Sequence, residues 1–301
     1  MNTWLLLSIL APVCWAISNA LDTAVRRHFV KSDMVAVWFL AATRLPLIIA
    51  LFAIFGFNWP EAANLFWMLF AGVLWIVPFV LYYRAVAEEE IGRIVLLMQM
   101  NSLFVFTLAW LLINEKLTAV QGFAFGLLLV GGIFASIRRI QSKWHMSAAF
   151  WFMFCAGIAW ALSDVLFKKY APSFGDFGSA ASWYLLGSFL PAFFPFFFKK
   201  QRHELAEHLG KLSARGWGLL SMNQLFGISG SIIFAYALTL GKASLTIVII
   251  AIQPLLAILW TYLLAPFIPE VEKEPLNREA IFFKSISFLL ILAGLIVLSL
   301  Q

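Results

Sequence analysis

Trp15-Ala16-Ile17-Ser18-Asn19-Ala20-Leu21-Asp22, near the start of the chain, is echoed by Trp160-Ala161-Leu162-Ser163-Asp164-Val165-Leu166-Phe167 just past its middle. On a helix Trp15, Asn19 and Asp22 share one face, as do Trp160, Asp164 and Phe167, because positions i, i+4 and i+7 stack. An indole beside polar groups in apolar surroundings reads either as an interfacial anchor near a helix end or as part of a binding site. Recurrence at matching places in two halves favours the site, since many transporters build a central site from repeated halves.

The chain around these stretches cannot be a soluble globule. Of its 301 residues, 63% are hydrophobic and 12% charged, against about 25% charged in soluble domains. The surplus apolar surface must face lipid. The net charge of +6 arises from Lys and Arg in short clusters between apolar runs. Such clusters are topology signals with a secondary attraction to acidic lipids, and they do not describe a nucleic-acid surface. Cys14 and Cys155 both sit inside apolar runs without metal-ligand spacing, so buried free thiols are expected. Met1-Asn2-Thr3-Trp4 lacks the basic n-region of a cleaved signal, and the first apolar run is expected to stay as a membrane helix.

A spanning helix needs about 20 mainly apolar residues. Ten such runs lie near 3–24, 34–57, 63–83, 93–113, 118–137, 147–168, 179–198, 215–239, 244–267 and 280–300. The predicted fold is therefore an all-α integral membrane protein of ten transmembrane helices in a cell (inner or plasma) membrane. Arg138, Arg139 and Lys143 mark a polar break, which separates a first five-helix unit (1–140) from a second (146–301). An odd number of helices per unit inserts the second upside down, giving an inverted repeat. Tyr82, Gln99, Thr107 and Glu115 recur as Tyr236, Gln253, Thr261 and Glu270, at a spacing of 154 to 155 residues. Connections are short except Lys199 to Arg215, which reads as a basic helical surface segment. A catalytic domain outside the membrane is excluded. Odd-numbered connections hold 16 basic residues and even-numbered ones hold four, Lys116, Lys168, Lys169 and Lys242. The positive-inside rule then places both termini outside.

Polar groups at membrane depth usually face a bundle interior or a watery cavity. Arg44, ten residues into the second run, is either a structural partner of a neighbouring helix or a substrate contact. Gln99, Asn101 and Gln253 can bind substrate or merely bond across helices, a contact worth about 0.6 kcal/mol in membranes. Asn223, Gln224, Ser229 and Ser231 surround Gly227 and Gly230, where the helix either loosens or packs closely. Trp15, Trp160, Tyr82 and Tyr236 recur in both halves and together could stack on a flat or cationic ligand. Gly122 and Gly126 form a small-residue face whose ordinary use is helix packing, within one protomer or between two, which leaves a homodimer open. No carboxylate lies plainly at the midplane, although Asp164 remains a candidate relay. Glu88, Glu89 and Glu90 form a solvated acidic cluster. Phosphate loops, metal-spaced His and Glu pairs and nucleophile elbows are missing, so no metal, cofactor or catalytic residue is expected. The four histidines are expected in loops.

The chain resembles the EamA-type carriers of the drug/metabolite transporter superfamily. The resemblance rests on the five-plus-five layout, the Trp15 to Asn19 start, Arg44-Leu45, Asn114-Glu115-Lys116-Leu117-Thr118 against the family's Gly-Glu-Arg-Leu-Thr, and Ile252-Gln253-Pro254-Leu255 against its Glu-Pro-Val segment. Asn114 departs from the usual Gly, Pro269-Glu270 departs from a second Gly-Glu, and the charge bias opposes the family's cytoplasmic termini. The resemblance implies a cavity between the repeats, lined by the first, third, fourth, sixth, eighth and ninth helices, and alternating access for a small metabolite such as an amino acid, nucleobase or amine. Scarce buried basic residues argue against a multiply charged anion. Two other readings are a lipid-modifying membrane enzyme using Asp22, Asp164 and Glu88 to Glu90, and a non-transporting subunit with a closed apolar seam.

Overall fold

The computed structural model describes residues 3–88, 94, 97–136, 148–271, 273 and 278–300, and every regular element among them is helical. The helices are α1 (Thr3–His28), α2 (Asp33–Ala42), α3 (Leu45–Phe55), α4 (Ala62–Ile76), α5 (Phe79–Glu88), α6 (Met100–Ile113) and α7 (Ala119–Ser136), followed by α8 (Ala148–Tyr170), α9 (Phe177–Phe189), α10 (Lys199–Lys211), α11 (Ala214–Leu240), α12 (Ala243–Val248), α13 (Gln253–Leu264) and α14 (Arg278–Ser299). Short 3-10 turns follow α8, α9 and α12. Taken across their breaks, eight helical stretches among the described residues are long and apolar enough to cross a membrane, and 100–113 and 119–134 are shorter apolar helices. Arg93, Arg138, Arg139, Lys143, His145, Glu89 and Glu90 lie outside the described residues. His203 and His208 sit on α10, and His28 ends α1, so these three are helical rather than in loops.

Proline sets most of the interruptions, because its ring removes a donor and clashes with the preceding turn. Pro46 opens α3 after the break at Thr43–Arg44. Pro78 separates α4 from α5, and Pro254 begins α13 after a 3-10 turn. Polar caps fix other ends. Asp176 accepts from Ser179 N at 2.9 Å, and Ser213 accepts from Gly216 N at 3.1 Å. Asn114 ends α6 in the left-handed conformation, φ 52, with Glu115 N donating to Ala109 O at 3.1 Å. That geometry favours Gly and next Asn, which explains why Asn stands where the resembled family has Gly.

In lipid, apolar surface alone does not drive helices together, so close backbone approach and hydrogen bonds must do so. α4 and α9 meet at two glycines: a Cβ on Gly72 would lie 2.1 Å from Tyr184 O, and one on Gly187 2.2 Å from Leu69 O. α1 packs along α11, with Gly230 against the Trp15 indole, and α11 runs unbroken through both glycines. The close-packing reading therefore describes Gly227 and Gly230. α8 packs on α4, α5 and α6, and α7 on α14. Large apolar side chains such as Ile54, Phe123, Leu225 and Leu289 stay exposed on the periphery, as a lipid-facing surface requires.

Contacts between connections sort into two ends. Asn58 bonds Ser179, and Lys242 bonds the Lys116 carbonyl, so even-order connections meet one another. Ser32 bonds Glu204, and Arg215 bonds Glu270, so odd-order connections meet at the other end.

Candidate functional site

The break between α2 and α3 turns Arg44 inward, where it is 3% exposed. Its Nε donates to Leu40 O at 3.1 Å, while its Nη1 has no hydrogen-bond partner among the described residues. On α8, Asp164 is 1% exposed and its Oδ2 is likewise without a partner. An unpaired polar atom at such depth is costly, which makes these two the outstanding features of the interior. Asp164 faces a void bounded by Trp75, Phe167, Tyr184, Ser231 and Phe234.

A second void lies toward the other end, bounded by Asp22, Arg26, Tyr83, Asn223 and Gln224 among others. Asn223 here donates to Asp22 at 3.4 Å and accepts from Ser18 at 2.5 Å, so α1 and α11 share one polar network. Arg26 pairs with Asp33 and stands 4.4 Å from the Tyr83 ring centre. Each void has room for about one water molecule. Asp22 and Asp164 therefore occupy separate compartments instead of converging.

The even-order end is fastened by Glu115. Its carboxylate accepts from Ala243 N at 2.8 Å, Ser244 N at 2.9 Å and Ser244 Oγ at 2.6 Å, and pairs with Lys168 Nζ at 3.3 Å. Burial disfavours its charge, but the Ser244 bonds and the Lys168 ammonium hold the carboxyl below its usual range. At the odd-order end Glu270 instead takes Arg215 at 2.7 Å, which lowers its carboxyl too.

The recurring tryptophans take equivalent roles. Trp15 Nε1 donates to Gly227 O at 3.2 Å, and Trp160 Nε1 to Trp75 O at 3.1 Å, in the last turn of α4 where helical donors run out. Trp15 stacks 6.0 Å from Trp75 and lies 5.2 Å from Phe234, just behind the Asp164 void. Trp160 packs on Phe79 and Tyr82. Both indoles contact protein on the neighbouring helices, and neither bounds either of these two voids. Tyr236 is exposed and rests on Phe177, and Asn19 is exposed. Gln99 packs against Gly132 of α7, half-buried Asn101 keeps an unpartnered Oδ1, and Gln253 is half-buried at the start of α13. Asp164 thus bounds the first void with Trp15 just behind it, Asn223 bounds the second, Arg44 bounds neither of these two, and Tyr236, Asn19 and Gln99 stand apart. Tyr184 and Trp75 are central yet missed in the sequence, where an aromatic in an aromatic-rich run carries no signal.

Residues 2–137 match the EamA-like transporter family. A solved structure described only as "Crystal structure of protein" is similar over 100% of this chain and 98% of its own, with a TM-score of 0.71 at 14% identity. That likeness concerns the fold alone. No curated protein matches the chain.

Proposed function

From a chain that carries the EamA-like transporter family's pattern over residues 2–137, we propose a secondary carrier that moves a small metabolite by alternating access between two inverted five-helix units. The observation that carries this reading is the pair of deeply buried, partly unpartnered groups, Arg44 in one unit and Asp164 in the other. A ligand that satisfied them would offset the cost of burying them. The pairing of helices supports the inverted arrangement: α1 of the first unit packs on α11 and α13 of the second, and α8 of the second packs on α4, α5 and α6 of the first. The two tryptophan-to-carbonyl bonds exchange in the same way. The voids are water-sized, so this conformation is closed and loading requires the units to part. Separate compartments for Asp22 and Asp164 weigh against a shared catalytic centre.

Reconstituted protein is expected to accelerate uptake of at least one compound from a panel of radiolabelled amino acids, nucleobases and amines into liposomes. Flux equal to that of empty liposomes across the panel would overturn the carrier reading and favour the non-transporting subunit.

A further inference from the structure

The polarity of the Asp164 void identifies the kind of group it receives. Three oxygen-bearing side chains bound it: Asp164, Tyr184 and Ser231. Their protons can be assigned from their other bonds. Ser163 Oγ donates its single proton to Ala71 O at 2.7 Å, so in its 3.1 Å contact with Tyr184 it must accept. Tyr184 therefore spends its own proton on Ser163. Ser231 Oγ spends its proton on Gly227 O at 2.9 Å. The oxygens of Tyr184 and Ser231 are left with lone pairs only, and the Asp164 Oδ2 has no hydrogen-bond partner among the described residues. All three side chains present acceptors. Around them stand the rings of Trp75, Phe167 and Phe234, whose faces attract cations.

Resting on the carrier reading, we infer that this void is the subsite for a protonated primary amine of the substrate. An –NH3+ head has three donors for three acceptors, carries the charge that a buried carboxylate needs, and is close to a water molecule in size. Carboxylate and phosphate groups bring only more lone pairs and are repelled. A trimethylammonium head has no donors and is too bulky for the void as it stands. The remainder of the ligand extends from the head as α8 and α11 part, with Trp15 behind Trp75 and Phe234 as the next aromatic surface.

Binding of 2-phenylethylamine, 2-phenylethanol, phenylacetate and N,N,N-trimethyl-2-phenylethylammonium to the purified full chain tests this, with heat of binding and thermal stabilisation read in parallel. The amine is expected to bind at least about tenfold more tightly than the other three, and Asp164→Asn to lose about tenfold or more of that affinity. Ser231→Ala and Tyr184→Phe, each of which removes one acceptor, serve if Asp164→Asn fails to fold, and each is expected to weaken the amine by several-fold. Equal binding of amine and alcohol, or amine affinity unchanged in the variants, overturns the inference. Flux of a neutral or anionic compound that survives these substitutions refutes the amine subsite and leaves the carrier reading standing. Amine binding that depends on Asp164 without flux of any compound does the reverse.

Discussion

Glu115 has the densest set of partners at the even-order end. One carboxylate receives two backbone N–H groups, a hydroxyl and an ammonium, joining the turn after α6 to the starts of α12 and the end of α8. Glu115→Gln is expected to lower stability by about 1–3 kcal/mol, because hydrogen bonds to a charged acceptor are the stronger kind. The sign with pH follows from its depressed carboxyl. A group ionised more readily when folded contributes stability above its unfolded pKa, and loses that contribution as pH falls through the folded value. Thermal midpoints measured from pH 7 down to about pH 3, below the usual Glu value near 4.3, should therefore fall further for the native protein than for Glu115→Gln. Parallel curves would show that Lys168 and Ser244 do not act on this carboxylate. Glu115 stands out in the sequence as the acid of a family-like signature, whereas its partners Ala243 and Ser244 do not, since a backbone N–H at a helix start has no side-chain identity.

Helix-to-helix spacing is set by which glycines are covered. Gly187 meets the Leu69 backbone, which cannot move aside as a flexible side chain would, while Gly122 and Gly126 meet nothing within 4 Å. Gly187→Ala should cost about 1–3 kcal/mol or prevent folding through overpacking. Gly122→Ala should be neutral or stabilising by about 1 kcal/mol, because Ala is the better helix former. Chemical or thermal unfolding in detergent checks the contrast, and a costly Gly122→Ala would reveal a covered surface there, as in a dimer. Apolar run lengths located eight membrane-length helical stretches and two shorter apolar helices among the described residues, but the breaks at Pro46, Pro78 and Pro254 fall inside runs that read as continuous helices. Which small residues pack was not readable: Gly122 and Gly126 have the spacing of a packing motif and lie open, whereas Gly72 and Gly187 lack it and carry the tightest contact. Recurrence had the same limit. It singled out the two tryptophans, which bond carbonyls of the opposite unit without bounding either void, and equally Tyr236, which turns outward onto Phe177.

Across the whole molecule, two ends with different fastenings flank a closed interior. The odd-order end holds α10, and the positive-inside rule applied to the sequence leads us to propose that this end faces the cytoplasm. A reporter fused within Lys199–Lys211 should therefore be active only in its cytoplasmic form, and activity only outside would reverse the orientation. The central claim is that the closed seam opens alternately to both sides. Ser231 bounds the Asp164 void and tests it directly as Ser231→Cys in a background where Cys14 and Cys155 are replaced by Ala. In sealed vesicles of each orientation, a membrane-impermeant maleimide should label this cysteine from either face, at rates that change when a transported substrate is added. A cysteine that stays unlabelled from both faces, or reacts from one face alone whatever is added, would contradict alternating access.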